Sequence, residues 1–150
     1  MTTTALLDSN VIIAALAEAH EHHEASTALF SRGRNDQLAV AAHSYAEAFG
    51  VLTRKGGNAP FAFGPQDAWS ALESIRAMTT LVGLTPAQTF DAVRAYARTG
   101  GIGARLYDKL IGEAAVMNAI PTIVTWNRRH MRSLFPDFEV LTPAEFSPAS

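Results

Sequence analysis

Three short runs constrain this chain more than anything else in it: Ala5-Leu6-Leu7, Leu38 to Ala42 and Thr122 to Thr125. Each is apolar or β-branched and too short for a buried helix, which is how strands covered on both faces read. Longer segments with helical spacing separate them. The first run stops at Asp8-Ser9-Asn10, and Val11 to Ala17 resumes as a helix whose N-cap is expected at Ser9 or Asn10. A second helix is predicted over Glu21 to Ser31, with Ala25, Ala28 and Leu29 inward, and a third runs from a Ser44 cap to about Arg54. Pro65 to Met78 carries Ala68, Trp69, Leu72, Ile75 and Met78 at three- and four-residue spacings. Pro86 opens a further helix through Phe90, Val93 and Ala97, and Ala104 to Asn118 forms another.

Gly33, Asn35 and Asp36 mark a turn, while Gly56, Gly57, Asn58 and Pro60, and then Gly100, Gly101 and Gly103, mark breaks. Thr80 to Leu84 reads as a strand or a loop, Arg128 to Leu134 as a helical turn, and Glu139 to Leu141 as a last strand. Strands alternating with helices predict an α/β fold with three layers (α/β/α) around a mostly parallel sheet. No linker divides the 150 residues, so one domain over 1–150 is expected.

Composition narrows the function classes. Twelve basic against 14 acidic side chains leave a formal charge of −2, so no global positive field advertises a nucleic-acid binder. Cysteine is absent, which removes disulfide frameworks, thiolate zinc sites and cysteine nucleophiles, and suits a reducing compartment. Met1-Thr2-Thr3-Thr4 has no basic leader, and Val11 to Leu16 is too short to span a bilayer; a soluble, cytoplasmic protein is expected.

In open parallel sheets, sites form beyond the carboxyl ends of strands. Asp8, Glu47 and Asn127 fall at or just after such ends, and Asp108 lies in the first turns of the helix before the Thr122 strand. Asp8, Glu47 and Asp108 sit in apolar neighbourhoods (Leu6-Leu7-Asp8, Ala46-Glu47-Ala48-Phe49, Leu106-Tyr107-Asp108), where an unpaired carboxylate is costly. Brought together, they would raise one another's pKa unless a cation neutralised them. Oxygen-only ligands suit Mg²⁺ or Mn²⁺ rather than zinc, and such an ion suits phosphodiester chemistry. Each residue also has a plainer role open to it. Asp8 can cap the first helix, Glu47 can pair with Arg54 or Lys55, Asp108 can pair with Arg105 or Lys109, and Asn127 can serve as a turn or cap residue.

Four motifs in order, Leu6-Leu7-Asp8-Ser9-Asn10-Val11-Ile12-Ile13, Ser44-Tyr45-Ala46-Glu47, Tyr107-Asp108-Lys109-Leu110-Ile111 and Thr125-Trp126-Asn127, resemble the PIN-domain ribonucleases. The likeness is greatest to the toxin components of virulence-associated toxin–antitoxin pairs, the VapC type. The resemblance implies a Mg- or Mn-dependent endoribonuclease with Asp8, Glu47 and Asp108 as metal ligands and catalytic residues. Asn10 and Thr125 would support them, and Asn127 stands where many members carry a fourth acid. A carboxamide ligates through its carbonyl oxygen but brings no charge, which bears on a second ion. The resemblance further implies a cognate antitoxin, an RNA substrate, a homodimer and no membrane. Two other readings stay open. One is a catalytically weak PIN-like RNA-binding or assembly module; the other is an aspartyl phosphotransferase, which wants a second aspartate where Asn10 stands.

Other features are less specific. His20-Glu21-His22-His23-Glu24 lacks the second histidine of a His-Glu-x-x-His zinc helix and reads as a solvated loop or helix start. Arg94, Arg98, Arg105, Lys109, Arg128, Arg129 and Arg132 form either a basic rim for an RNA backbone or a scatter of solvated charges. Trp126 either stacks on a base or packs, and Phe61, Phe63 and Trp69 are expected in the core, with a partner groove as the other use of that surface.

Overall fold

The computed structural model describes residues 3–31, 37–56 and 61–146. Five strands, β1 (Ala5–Leu7), β2 (Leu38–Ala41), β3 (Thr80–Val82), β4 (Thr122–Val124) and β5 (Glu139–Leu141), form one sheet in the order β3-β2-β1-β4-β5. Every pairing is parallel. The strands are short because β1, β2 and β4 are buried from end to end, and a strand covered on both faces needs only a few apolar residues to be anchored.

Alternation along those strands sorts the core into two layers. Ala5, Leu7, Leu38, Val40 and Val124 face one cluster, built with helices α1 (Ser9–Leu16), α2 (His23–Phe30), α3 (Ala42–Thr53) and α4 (Pro65–Met78). Leu6, Ala39, Ala41, Ile123 and Val140 face the other, built with α6 (Leu106–Met117) and α7 (Arg128–Leu134). Helix α5 (Pro86–Arg98) packs on α6 and begins with a capping box in which Thr85 and Gln88 satisfy each other's backbone N–H groups. The result is the three-layer α/β/α arrangement. Among the described residues no helix is long and apolar enough to cross a membrane.

Several local expectations shift. The N-cap of α1 is Asp8, one residue before the expected Ser9 or Asn10, because its carboxylate accepts the Ser9 N–H. Ser44 does not cap α3: the helix starts at Ala42, and Ser44 is buried within its first turn. The helix expected from Ala104 begins as a 3-10 turn over Gly103–Arg105 and becomes α-helical at Leu106. Thr80 to Leu84 resolves as the edge strand β3, ending at Val82. The turn at Gly33, Asn35 and Asp36, and the break residues Gly57, Asn58 and Pro60, lie outside the described residues. Trp69 is 56 % exposed rather than core, whereas Phe61 and Phe63 pack against the first cluster.

Candidate active site

Strand order reverses between β1 and β4, since the chain winds to β2 and β3 on one side and to β4 and β5 on the other. Loops at such a switch point part and leave a crevice at the strands' carboxyl ends. Asp8 leaves β1 there and Thr125, Trp126 and Asn127 leave β4.

Hydrogen bonds stitch the two loops together. Asp8 is only 3 % exposed; one carboxylate oxygen accepts the Ser9 N–H at 2.7 Å, and the other accepts the Thr125 hydroxyl at 2.8 Å. Asn10 Nδ2 donates to Thr125 Oγ1 at 3.1 Å, and Asn10 Oδ1 accepts the Trp126 N–H at 3.1 Å. The Asn127 N–H closes the set by donating to Thr125 Oγ1 at 3.0 Å. Thr125 is therefore saturated: its single hydroxyl donates to the acid and accepts twice. Such a network fixes Asp8 in one rotamer.

Glu47 lies on α3, the helix leaving β2, and accepts the Ser9 hydroxyl. Neither Arg54 nor Lys55 pairs with it. Asp108 is the third residue of α6, where its Oδ2 lies 3.1 Å from His130 Nε2 on α7, close but misaligned for a hydrogen bond. Its neighbour Lys109 turns instead to Glu113 at 2.7 Å. Asn127 is exposed, and its side chain touches none of the three acids by a hydrogen bond.

The acids feel one another. Burial pushes the Asp8 carboxyl up from 3.8 to about 7, with Asp108 adding repulsion and Glu47 a smaller share; the bonds from Thr125 and Ser9 oppose the rise. Burial and then the Glu47 charge raise Asp108 to about 6, partly offset by Arg105. Among the described residues no three acidic or histidine side chains converge tightly enough to cage an ion as they stand. Mutual repulsion thus adds to the larger effect of burial at both Asp8 and Asp108.

Other residues take structural places. His22 stacks on Trp126 with ring centroids 3.9 Å apart and planes 9° apart, while the Trp126 indole N–H donates to buried Ser26 at 2.8 Å. Trp126 thus packs, and the histidine cluster supports it as well as starting α2: His23 Nδ1 lies 2.9 Å from the Ala14 carbonyl. Of the basic residues, Arg94 pairs with Asp91, Arg128 with Glu145, and Arg132 donates to the Val140 carbonyl. Among the described residues, Arg105 and Arg129 line a polar pocket beside the acids, together with His130. His130 and Ser9 are the site residues that sequence reasoning passed over. The three-residue step from Asn127 to His130 was the available signal, because it puts both on one side of a helical turn.

A parallel three-layer sheet with carboxylates gathered at its switch point defines a small α/β domain. Residues 5–133 match the PIN domain family, and the chain belongs to that family. No curated protein matches it by sequence. Among solved structures it is similar to VapC20 of Mycobacterium tuberculosis, a sarcin–ricin loop cleaving toxin, with a TM-score of 0.70 at 13 % identity over 89 % of this chain and 98 % of that one. It is also similar to FitAcB of Neisseria gonorrhoeae, with a TM-score of 0.64 at 22 % identity over 95 % and 100 % of the two chains. A third likeness is to VapBC2 of Rickettsia felis bound to a promoter DNA fragment, with a TM-score of 0.62 at 18 % identity over 93 % and 97 %. At these identities the likeness is one of fold.

Proposed function

We propose that this PIN domain is a divalent-metal-dependent endoribonuclease and the toxin of a toxin–antitoxin pair, restrained by a cognate antitoxin. The observation that carries the reading is Asp8, a buried acid with two donors fixed on it and two further carboxylates within electrostatic reach. Its fold relatives include a toxin that cleaves the sarcin–ricin loop. An oxygen-only set of Asp8, Glu47 and Asp108 fits Mg²⁺ or Mn²⁺ in charge and hardness, and the raised carboxyl pKa values of Asp8 and Asp108 are what a cation would relieve. When bound, the ion would favour an ionised water and neutralise charge on the attacked phosphodiester.

The chain's own residues do the positioning. The Ser9 N–H and the Thr125 hydroxyl stabilise Asp8 in its ionised form and hold its oxygens in place. Asn10 locks Thr125, so substrate cannot turn that hydroxyl away from Asp8. Ser9 holds Glu47 toward Asp8. The carboxamide of Asn127, exposed at the rim, would orient an incoming water or phosphate oxygen. RNA is the substrate in this reading, and the working protein is a cytoplasmic homodimer.

Induced expression of the wild type beside Asp8→Asn, with total RNA separated from each culture, tests the reading. Growth arrest with discrete RNA fragments in the wild type alone is expected. Arrest in both would assign toxicity to binding, and arrest in neither would contradict the toxin assignment.

A further inference from the structure

Beside the acids lies a second polar cavity of about 350 Å³, lined by Arg105, Asn127, Arg129, His130 and Ser133. At about 30 Å³ of liquid per water molecule, it holds a tetrahedral oxyanion with several waters. Its lining is two guanidiniums, an imidazole, a hydroxyl and a carboxamide, without a carboxylate. Among the described residues no acid comes within ion-pairing distance of Arg105 or Arg129, although most other cations nearby are paired. Two guanidiniums line one pocket, and Asp108 acts on Arg105 only at a distance, short of an ion pair. Arginine is also the side chain whose forked donors match phosphate oxygens.

The cavity shares walls with the acidic site. His130 reaches Asp108, with Nε2 and Oδ2 3.1 Å apart, and Asn127 lines the cavity while its backbone N–H holds Thr125. Negative and positive charge thus stand side by side at the crevice mouth. A chain of phosphodiesters, one at the acids and one at the guanidiniums, answers both.

We propose that this cavity is a phosphate subsite, with Arg105 and Arg129 as its anchors and Asn127, His130 and Ser133 as its polar walls. It takes a phosphate group of the bound strand other than the one being cut. The polymer's identity as RNA rests on the nuclease reading; the phosphate chemistry does not.

The test uses the full chain with divalent ions chelated, so that no strand is cut. Binding of a single-stranded oligouridylate of about eight nucleotides is measured against salt for the wild type, R105Q, R129Q and the double variant, each checked for its fold by circular dichroism. The double variant is expected to bind about tenfold more weakly at low salt. Its log–log salt slope should be shallower by about 0.7, the contribution of one neutralised phosphate on a single strand. Inorganic phosphate should shift the side-chain Nε–H resonances of Arg105 and Arg129 in the wild type. Equal affinity for 5′-phosphorylated and 5′-hydroxyl strands assigns the subsite to an internal phosphodiester. A preference for the phosphorylated strand that the double variant loses assigns it to a terminal phosphate. Unchanged affinity and slope in the double variant, with no arginine response to phosphate, overturns the proposal. Failure of the nuclease reading shows separately, as uncut RNA in Mg²⁺ while this binding persists.

Discussion

The Thr125 hydroxyl donates to the Asp8 carboxylate at 2.8 Å, joining residues 117 positions apart at the ends of neighbouring strands. Parallel pairing of β1 with β4 makes the contact possible, because Leu7 lies opposite Val124 and the next residue of each strand emerges at the same edge. One register thereby places an acid and the group that orients it. A slip of one residue in β4 would turn Thr125 away from Asp8.

Removing that hydroxyl isolates its role. Thr125 is fully buried, so Thr125→Val keeps the shape but leaves the Asn127 N–H without its acceptor and takes a donor from Asp8. Denaturant unfolding should show a loss of about 1–3 kcal/mol, and RNA cleavage should fall with it. Thr125→Ser should restore both.

Asp8 works against the fold that holds it. Unfolded, it ionises near its ordinary 3.8; folded, near 7. Between those values the native state binds more protons than the unfolded one, so metal-free stability falls as pH rises from about 4 to about 7 and then levels. The single-site ceiling on that loss is about 4 kcal/mol. Asp8→Asn should therefore melt higher than the wild type at pH values above 7 without divalent ions. The gap should close toward pH 4, as thermal melts across that window would record.

A bound cation should reverse the effect. Mg²⁺ or Mn²⁺ should raise the wild-type melting temperature with concentration, as any ligand of the native state does, and do little for Asp8→Asn. Below pH 7 binding should also release protons from Asp8 and Asp108, which titration calorimetry in buffers of different ionisation enthalpy detects.

Asp108 depends on a glycine four residues on. A Cβ on Gly112 would lie 1.9 Å from the Phe135 ring, which is buried where α6 meets α7. Gly112→Ala should cost about 1–3 kcal/mol by overpacking and displace the helix that carries Asp108. Adding Phe135→Leu should recover part of the loss, a coupling that a double-mutant cycle measures.

The ends of the buried strands are legible in the sequence because burial on both faces leaves continuous apolar runs, as in Leu6-Leu7 and Ala39-Val40, whereas several helix starts shift by one or two residues. From those ends the places of Asp8, Glu47 and Asn127 beyond the strands follow directly. The partners of Glu47 and Asp108 were not legible. Lys109 and Arg105 stand beside Asp108 in sequence, yet α7 brings His130 to it from 22 residues away. Ser9 has the residue type of a cap, but the backbone N–H is taken by the Asp8 carboxylate, and the serine hydroxyl is left for Glu47. Trp69 has the spacing of a core residue and stands exposed, because β3 is an edge strand and, among the described residues, none beyond it covers that corner of α4.

The most direct measurement is cleavage of purified total RNA by the protein freed of any co-purified partner, in Mg²⁺, in chelator, and with Asp108→Asn. Discrete fragments from the wild type in Mg²⁺ alone are predicted. Fragments that persist in chelator, or that Asp108→Asn makes equally well, would contradict a carboxylate-held metal nuclease.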